Sequence, residues 1–293
     1  MPKLADKKIQ KSDIEEHLKN YSDFSFEIKV LQKLSSLGFS CEHSGTYEDP
    51  VTKKTREFDI RAQKRDHLKD NVIFNFCLAA ECKNLRANFP LLVHCLPRRR
   101  AEAYQHLVNS HTPSEPVLSY YRYGFRVILD EEDSFYKLGE PVGKSYDQVG
   151  KKSQSNEVVA SDTDVFEKIS QSINSAYDLV RAAHYAGNRD LTVFSFVLPI
   201  LVVPQDRVWT VTYDFEGNIV DGPKPSNHVS YYINKSWKLG GNGTEVAVWY
   251  YLSHLEIVEL GGLEKLISDH YGGDRFSLSK LYGYMIKQNQ KKK

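Results

Sequence analysis

The fold is decided by one stretch of the chain, residues 72–83, which reads VIFNFCLAAECK. Its first nine residues are almost all apolar, and a run of this length predicts a strand that is buried on both faces of a sheet. The run ends in Glu81, Cys82 and Lys83. Charged side chains at the end of a buried strand are unfavourable unless they have partners or a task. This end of the strand is therefore where we expect chemistry.

Helices and strands are predicted on both sides of this strand. A helix is expected over residues 24–37, where apolar residues recur at helical spacing before Gly38. Strands are expected at 39–47 and at 56–62, the second of which alternates with period two. The later predicted elements are helices at 98–108, 162–184 and 263–270, and strands at 191–203, 207–215 and 246–252.

This order of elements predicts an α/β or α+β fold, in which helices flank a mixed sheet. We expect residues 1–20 to form an N-terminal arm and residues 21–260 to form the main domain, with an inserted elaboration at 111–160. Residues 261–293 are expected to form a C-terminal extension of one helix and a basic tail.

Two connections are also predicted from turn residues. Pro204, Gln205 and Asp206 separate two strand patterns, which predicts that the strands at 191–203 and 207–215 form a hairpin. Residues 221–243 are rich in Gly, Pro and Asn, and this composition predicts a long loop.

Composition limits the classes of function. The 293 residues include 39 Lys+Arg and 38 Asp+Glu, and the resulting net charge of +1 excludes a general polyelectrolyte binder while leaving room for a local nucleic-acid surface. The longest apolar stretch, 193–203, is far shorter than the roughly 20 residues of a membrane span. The N-terminus has no apolar signal region, and the four cysteines lack CxxC spacing. We therefore expect a cytoplasmic protein with reduced thiols and no membrane partner.

Asp59 is the second carboxylate expected at the end of the buried strand. Glu81 and Lys83 are two residues apart, so both project from one face of that strand. If the strand at 56–62 pairs with it, Asp59 lies beside Glu81. These two carboxylates and the backbone carbonyl of Cys82 would suit Mg²⁺, with Mn²⁺ as a substitute. Such a metal lowers the pKa of a bound water, and Lys83 would stabilise transition-state charge on a phosphodiester.

The pattern resembles the PD-(D/E)xK, or restriction-endonuclease-like, nuclease superfamily. The resemblance is carried by EFDI at 57–60 and AECK at 80–83, and it covers roughly residues 24–108. Phe58 stands where the fullest motif has Pro, and a QxxxY element on the following helix is not clear. The subfamily is therefore left open.

The resemblance implies a restriction-endonuclease-like sheet and a metal-dependent DNA nuclease, with a role in restriction, repair or defence. It implies that Asp59 and Glu81 are metal ligands and that Lys83 is the catalytic lysine. It also implies a supplementary acid on the first helix, and Glu27 matches that position.

Alternatives stay open for each of these residues. The acids and Lys83 could form a structural ion-pair cluster, and Glu27 could be a solvated helix residue. Arg98, Arg99 and Arg100 could bind phosphates or form a solvated charged run. The alternative function is a catalytically inactive nucleic-acid-binding or scaffold module on the same fold. RNA is a second candidate substrate, and a homodimer is one oligomeric state to consider.

Overall fold

The structure is a computed structural model that describes residues 6–20, 22–69, 72–110, 125–127, 136–184, 191–239 and 248–271. In this part of the chain one large mixed sheet is flanked by helices, so the protein is mixed α/β. The helices are α1 (Lys11–Asn20), α2 (Phe24–Ser36), α3 (Thr163–His184) and α4 (Leu263–Tyr271).

The order of the strands along the chain differs from their order in the sheet. They are β1 (Ser40–His43), β2 (Thr46–Glu48), β3 (Thr55–Glu57), β4 (Ile60–Lys69), β5 (Val72–Cys82), β6 (Leu91–Pro97), β7 (Gln105–Ser110), β8 (Phe125–Val127), β9 (Pro141–Lys151), β10 (Val158–Ser161), β11 (Thr192–Val203), β12 (Val208–Tyr213), β13 (Ile219–Pro225), β14 (His228–Leu239) and β15 (Val248–Glu259).

The main sheet runs in the order β1-β4-β5-β11-β15-β14-β9-β6-β12-β13. β5 and β11 lie side by side as parallel strands, whereas β4 pairs with β5 in antiparallel fashion. β7 pairs with the first part of β11, and β15 pairs with its last part. β2 and β3 form a separate two-stranded ribbon. The carboxyl end of β5 is therefore enclosed between the start of β4 and the end of β11.

The predicted buried strand is confirmed as β5, which is buried from Phe74 to Cys82. Its even-numbered side chains from Phe74 to Cys82 belong to the core that α2 and α4 cover. Cys77 and Ala79, on the other face, pack with α3. Because each face is covered by helices, β5 needs the nearly continuous apolar sequence from which it was predicted.

The predicted helix at 98–108 is wrong. The chain forms a 3-10 turn at Arg100–Glu102 and then strand β7. Leu107 and Val108 are buried beside β11 in the sheet. Pairing with a central strand thus outweighs the local helical pattern of these residues.

The predicted hairpin and the predicted long loop are also wrong. β11 pairs with β5 and β15, and β12 pairs with β6 and β13, so the two strands are not neighbours. Most of residues 221–243 belong to β13 and β14. Gly222 has φ 89° and lies at an irregular part of β13, where a Cβ would come within 2.5 Å of the Thr210 carbonyl oxygen. Glycine there marks an irregular edge strand rather than a loop.

The structure describes only part of the predicted N-terminal arm, elaboration and C-terminal extension. Residues 11–20 of the expected arm form α1, and its residues 11–18 are exposed. Residues 141–151 and 158–160 of the expected elaboration at 111–160 lie in β9 and β10, while 111–124 and 128–135 lie outside the described residues. The basic tail also lies outside them. Within the described residues no helix has the length and apolar character needed to span a membrane.

Candidate active site around Asp59 and Glu81

Asp59 and Glu81 meet where the chain entering β4 passes the end of β5. Ile60 pairs with Ala80 in the antiparallel ladder, so the strand pairing on which the position of Asp59 depends is present. One residue further along, the Asp59 N–H donates to Glu81 Oε1 at 3.4 Å. The Cys82 N–H donates to Asp59 Oδ2 at 2.8 Å. Backbone groups of the two strands thus hold the two carboxylates side by side.

The single strand predicted at 56–62 is interrupted, and Asp59 lies in the break between β3 and β4. The neighbouring Phe58 packs so closely on Gly45 that a Cβ there would lie 2.3 Å from Phe58 Cζ. The Phe58 N–H donates to the Gly45 carbonyl at 3.0 Å, and the guanidinium of Arg61 lies 4.2 Å from the centre of the Phe58 ring. These contacts fix the backbone that carries Asp59.

A lysine of α3 lies between the two carboxylates. Lys168 Nζ is 2.8 and 2.6 Å from the two Asp59 oxygens and 3.1 Å from Glu81 Oε2. The Glu81 and Lys168 side chains are 1% and 17% exposed. One turn further along α3, the buried Ser172 hydroxyl donates to the Ala79 carbonyl at 2.8 Å. α3 is thereby attached to β5 where its lysine reaches the acids.

The charges of this cluster are strongly coupled. Burial, and then the charge of Asp59, raise the pKa of Glu81 to about 8. Burial alone would lower the pKa of Lys168, but the charges of Glu81 and Asp59 raise it overall. At neutral pH the cluster therefore holds an ionised Lys168 and a largely protonated Glu81. Shifts of this kind gather at functional sites, although structural ion-pair networks produce them too.

Lys83, the expected catalytic lysine, is directed to a neighbouring part of the same edge. Its Nζ lies 3.4 Å from Asp23 Oδ2 and 3.9 Å from Asp164 Oδ2. Asp23 precedes α2 but makes no side-chain capping bond to it. Its carboxylate instead accepts the Asn84 N–H at 2.7 Å. In this structure the lysine at the acidic pair is thus Lys168.

Glu27, the expected supplementary acid, lies on α2. Its Oε2 is hydrogen-bonded to His43 Nε2 at 3.0 Å, and both side chains are largely buried. Burial and the charges of Asp59, Glu27 and Glu81 raise the pKa of the Cys82 thiol. Glu27 is therefore within electrostatic range of the Cys82 thiol, and its hydrogen-bond partner is His43.

The three candidate phosphate-binding arginines follow β6, which lies five strands from β5 in the sheet. Arg98 is only 3% exposed and donates to the Lys137 carbonyl at 3.0 Å, so its guanidinium has no access to a phosphate. Arg99 is exposed and pairs with Glu102 at 2.8 Å. Arg100 is exposed. The fold does not bring these residues to the acidic pair.

The oxygen donors fit a hard cation. The Asp59 and Glu81 oxygens converge within 3.1 Å on a single cation position, which the Lys168 ammonium takes in this structure. Among the described residues, no group of three or more His, Cys, Asp and Glu side chains is arranged around a metal position. Mg²⁺ keeps several waters and often binds through one or two carboxylates, so two are sufficient. A metal at that position requires Lys168 to turn aside.

One feature of the sequence points to Lys168. Val165, Ile169 and Ala176 recur at helical spacing and form a buried apolar stripe of α3. Lys168 falls inside this stripe, where an unpaired lysine is rarely found. A charged residue in an apolar stripe indicates a buried partner, and here the partners are the two acids.

Compared with protein-family models, curated proteins and solved structures, the chain has no match. The function is therefore argued from the chemistry of this site.

Proposed function

We propose that the protein is a metal-dependent nuclease that hydrolyses phosphodiester bonds in DNA. The observation that carries the proposal is the convergence of Asp59 and Glu81 on one cation position at the end of a central strand. A hairpin that carries these acids, behind a helix with Glu27, also supports a restriction-endonuclease-like arrangement. Membership of the PD-(D/E)xK superfamily is part of the same proposal.

Each side chain has a distinct task in this proposal. Mg²⁺ or Mn²⁺ at the acids would neutralise phosphodiester charge and provide a water of lowered pKa. Asp59 and Glu81 hold the cation, and Glu81 first loses the proton that its pKa of about 8 retains near neutrality. Lys168 stays ionised and, once released from the acids, presents its ammonium to the phosphate. Lys83 provides a second positive charge on the same edge.

One observation favours a second candidate, a nucleic-acid-binding or scaffold module without catalysis. Lys168 already lies within hydrogen-bond distance of both carboxylates, so the cluster is satisfied without a metal ion. Buried ion pairs of this kind also occur as purely structural features. The two candidates differ in whether a divalent cation displaces the lysine.

The deciding experiment is a cleavage assay on plasmid DNA, single-stranded DNA and RNA with Mg²⁺, Mn²⁺ or EDTA. We expect metal-dependent cleavage of DNA by the wild type and its loss in Asp59→Asn and Glu81→Gln. Glu216→Gln is the matched control, because Glu216 lies in an exposed turn. Circular dichroism establishes that the variants are folded.

Two results would contradict the proposal. One is a pure wild-type protein that cleaves no nucleic acid with either metal. The other is a folded Glu81→Gln variant that cleaves at the wild-type rate.

A further inference from the structure

A cleft of about 410 Å³ opens at Lys83, two residues after Glu81. Its walls come from the residue before α2, the start of α3, the connection from β5 to β6, and β9 with its partner strand β10. The side chains that matter for its chemistry are Lys83, Arg86, Phe89, Gln148, Lys151 and Asp164.

The cleft and the candidate cation position share two structural elements. Lys83 follows Glu81 by two residues, so one segment of chain serves both. Asp164 precedes Lys168 by four residues in α3, a spacing that places both on one face of the helix. A ligand in the cleft therefore lies next to whatever binds at Asp59 and Glu81.

The cleft offers an aromatic surface held in place by its surroundings. Phe89 is half-buried, and a Cβ at Gly150 would lie 2.6 Å from Phe89 Cδ2, so the ring packs directly on the glycine. The Phe89 N–H donates to the Arg86 carbonyl at 3.0 Å, and Gln148 Nε2 donates to the Phe89 carbonyl at 3.4 Å. A fixed aromatic ring suits a flat ligand.

The charges around this ring suit an anion at the rim. Lys83, Arg86 and Lys151 line the cleft together with two acids, Asp23 and Asp164. Both acids pair with Lys83. Lys151, on the exposed side, adds a further positive charge close to the aromatic ring. Positive charge beside an aromatic platform is the combination by which proteins bind single-stranded nucleic acid.

The size of the cleft restricts the ligand. Its volume lies at the lower end of the range of about 300–1,000 Å³ that small-molecule sites occupy. One nucleotide fits such a volume, whereas a base pair inside a continuous duplex cannot enter it.

We infer that this cleft binds one unpaired nucleotide of the substrate strand, with its base against Phe89 and its phosphates near Lys83 and Lys151. The inference rests on the proposed function and adds a substrate class. Substrates with an unpaired base beside the cleaved bond, such as single strands and frayed ends, are preferred over continuous duplex.

The test measures binding in EDTA, so that it does not depend on catalysis. Fluorescence anisotropy compares a labelled single-stranded oligonucleotide with its duplex, and a set of oligonucleotides carries one abasic site at successive positions. We expect tighter binding of the single strand, and a loss of about tenfold when the abasic site reaches the cleft.

Variants connect this loss to Phe89. Phe89→Ala should weaken binding of the intact strand by about tenfold and should be nearly insensitive to the abasic site. Phe89→Leu keeps an apolar side chain on Gly150 and should show the same insensitivity, which covers the case where the alanine variant is unstable. Phe215→Ala is the matched control, because Phe215 is 61% exposed in the turn between β12 and β13.

An equal abasic effect in the wild type and in Phe89→Leu would overturn the inference, as would equal affinity for single strand and duplex. Failure of the two proposals is distinguishable. If the protein cleaves DNA but the abasic effect does not depend on Phe89, only the proposed nucleotide site is rejected. If the abasic effect depends on Phe89 but no DNA is cleaved, the nucleotide site stands and the proposed nuclease activity is rejected.

Discussion

Glu81 is almost fully buried and faces a second carboxylate, and both conditions favour its protonated form. Its pKa of about 8 lies above the value of 4.5 for an exposed glutamate. The folded protein therefore binds a proton that the unfolded chain releases between these two values. Stability from this group is complete below about pH 4.5 and decreases as the pH rises to about 8.

This difference predicts how stability responds to pH without metal. Between about pH 5 and pH 8, the free energy of unfolding of the wild type should decrease by on the order of 3 kcal/mol relative to Glu81→Gln. Urea unfolding of both proteins at a series of pH values measures the difference. Parallel stability curves for the two proteins would contradict a raised pKa at Glu81.

The same proton predicts the pH dependence of metal binding. A metal ion competes with protons for carboxylate ligands, so affinity should increase as the pH rises toward and beyond 8, the pKa of Glu81. The increase in melting temperature on adding Mg²⁺ should thus be larger near pH 8.5 than near pH 6.5. Scanning calorimetry with and without millimolar Mg²⁺ measures it, with Glu81→Gln as the control that should show little response at either pH.

Lys168 gives a prediction that separates a metal site from a structural ion pair. Lys168→Met leaves two carboxyl groups facing each other, and we expect a loss of about 2 kcal/mol without metal, limited by protonation of Glu81. Mg²⁺ should stabilise this variant more than the wild type, because the ammonium no longer competes for the cation position. Thermal melts in EDTA and in Mg²⁺ measure both effects.

Lys83→Met is the matched control for that experiment, because Lys83 pairs with Asp23 and Asp164 instead. It should respond to Mg²⁺ as the wild type does. A Lys168→Met variant that stays equally destabilised in EDTA and in Mg²⁺ would favour the structural ion pair.

At the scale of the elements, the attachment of α3 to the sheet positions the lysine. The buried Ser172 hydroxyl lies 2.8 Å from the Ala79 carbonyl and 3.3 Å from the Ile200 carbonyl. It thus reaches both central strands, β5 and β11, one turn after Lys168. Serine is small enough for this close approach and supplies the hydrogen bond that apolar residues of the stripe lack.

Ser172→Ala should lower the free energy of unfolding by about 1 to 2 kcal/mol, since it removes a buried hydrogen bond and leaves its volume partly empty. Ser170→Ala is the control, because Ser170 is less buried on the same helix. Chemical denaturation of both variants measures the difference. Equal stabilities of the two variants would show that the bond contributes nothing to the attachment.

The sequence alone predicts those helices and strands that carry one dominant hydrophobic pattern. β5 carries a continuous apolar run and α3 carries a strong helical stripe, and both were predicted within a few residues. Asp59 was expected beside Glu81 on the condition that their strands pair, and the pairing of β4 with β5 meets that condition. In these cases local sequence and burial lead to the same structure.

The remaining errors come from contacts between residues far apart in the chain. β7 was predicted as a helix because its pairing with β11 depends on residues more than eighty positions later. β11 and β12 were predicted as a hairpin because adjacency in sequence was taken for adjacency in the sheet. The acids that pair with Lys168 could not be identified from its position in the apolar stripe for the same reason, since Lys168 lies 87 residues after Glu81. Single-sequence patterns carry little information at such separations.

At the scale of the whole molecule, a second buried glutamate has the opposite effect on stability. Burial alone would raise the pKa of Glu256, but the hydrogen bond and charge of His228 hold it well below its usual range. Its carboxylate also accepts hydrogen bonds from Tyr136 and Ser230 at 2.7 and 2.8 Å. This stabilisation is present above about pH 4.5 and decreases as the pH falls further.

Two buried histidines raise the pH below which the folded protein loses stability. Burial lowers the pKa values of His254 and His270 below 6.5, so the unfolded chain takes up protons there that the folded protein does not. Stability therefore decreases as the pH falls below about 6.5, while Glu81 lowers it as the pH rises toward 8.

These opposing groups predict a maximum of stability near pH 6.5 for the metal-free wild type. In Glu81→Gln the decrease on the alkaline side should disappear, and the maximum should broaden toward higher pH. Melting temperatures across this range measure the position of the maximum. A wild-type maximum that stays in place in Glu81→Gln would assign the alkaline decrease to other groups.

The long separation between Lys168 and its acids has a consequence for synthesis on the ribosome. Lys168 follows Asp59 by 109 residues, and β5 cannot pair with β11 until residue 203 has been made. Chains grow at about 5–20 residues per second, so Asp59 and Glu81 emerge seconds before the helix and strand that enclose them. During that interval the acids are solvated on an incomplete sheet. The catalytic arrangement that we propose thus forms only after β11 has been made, and it is absent while the early part of the protein is held beside ribosomal RNA.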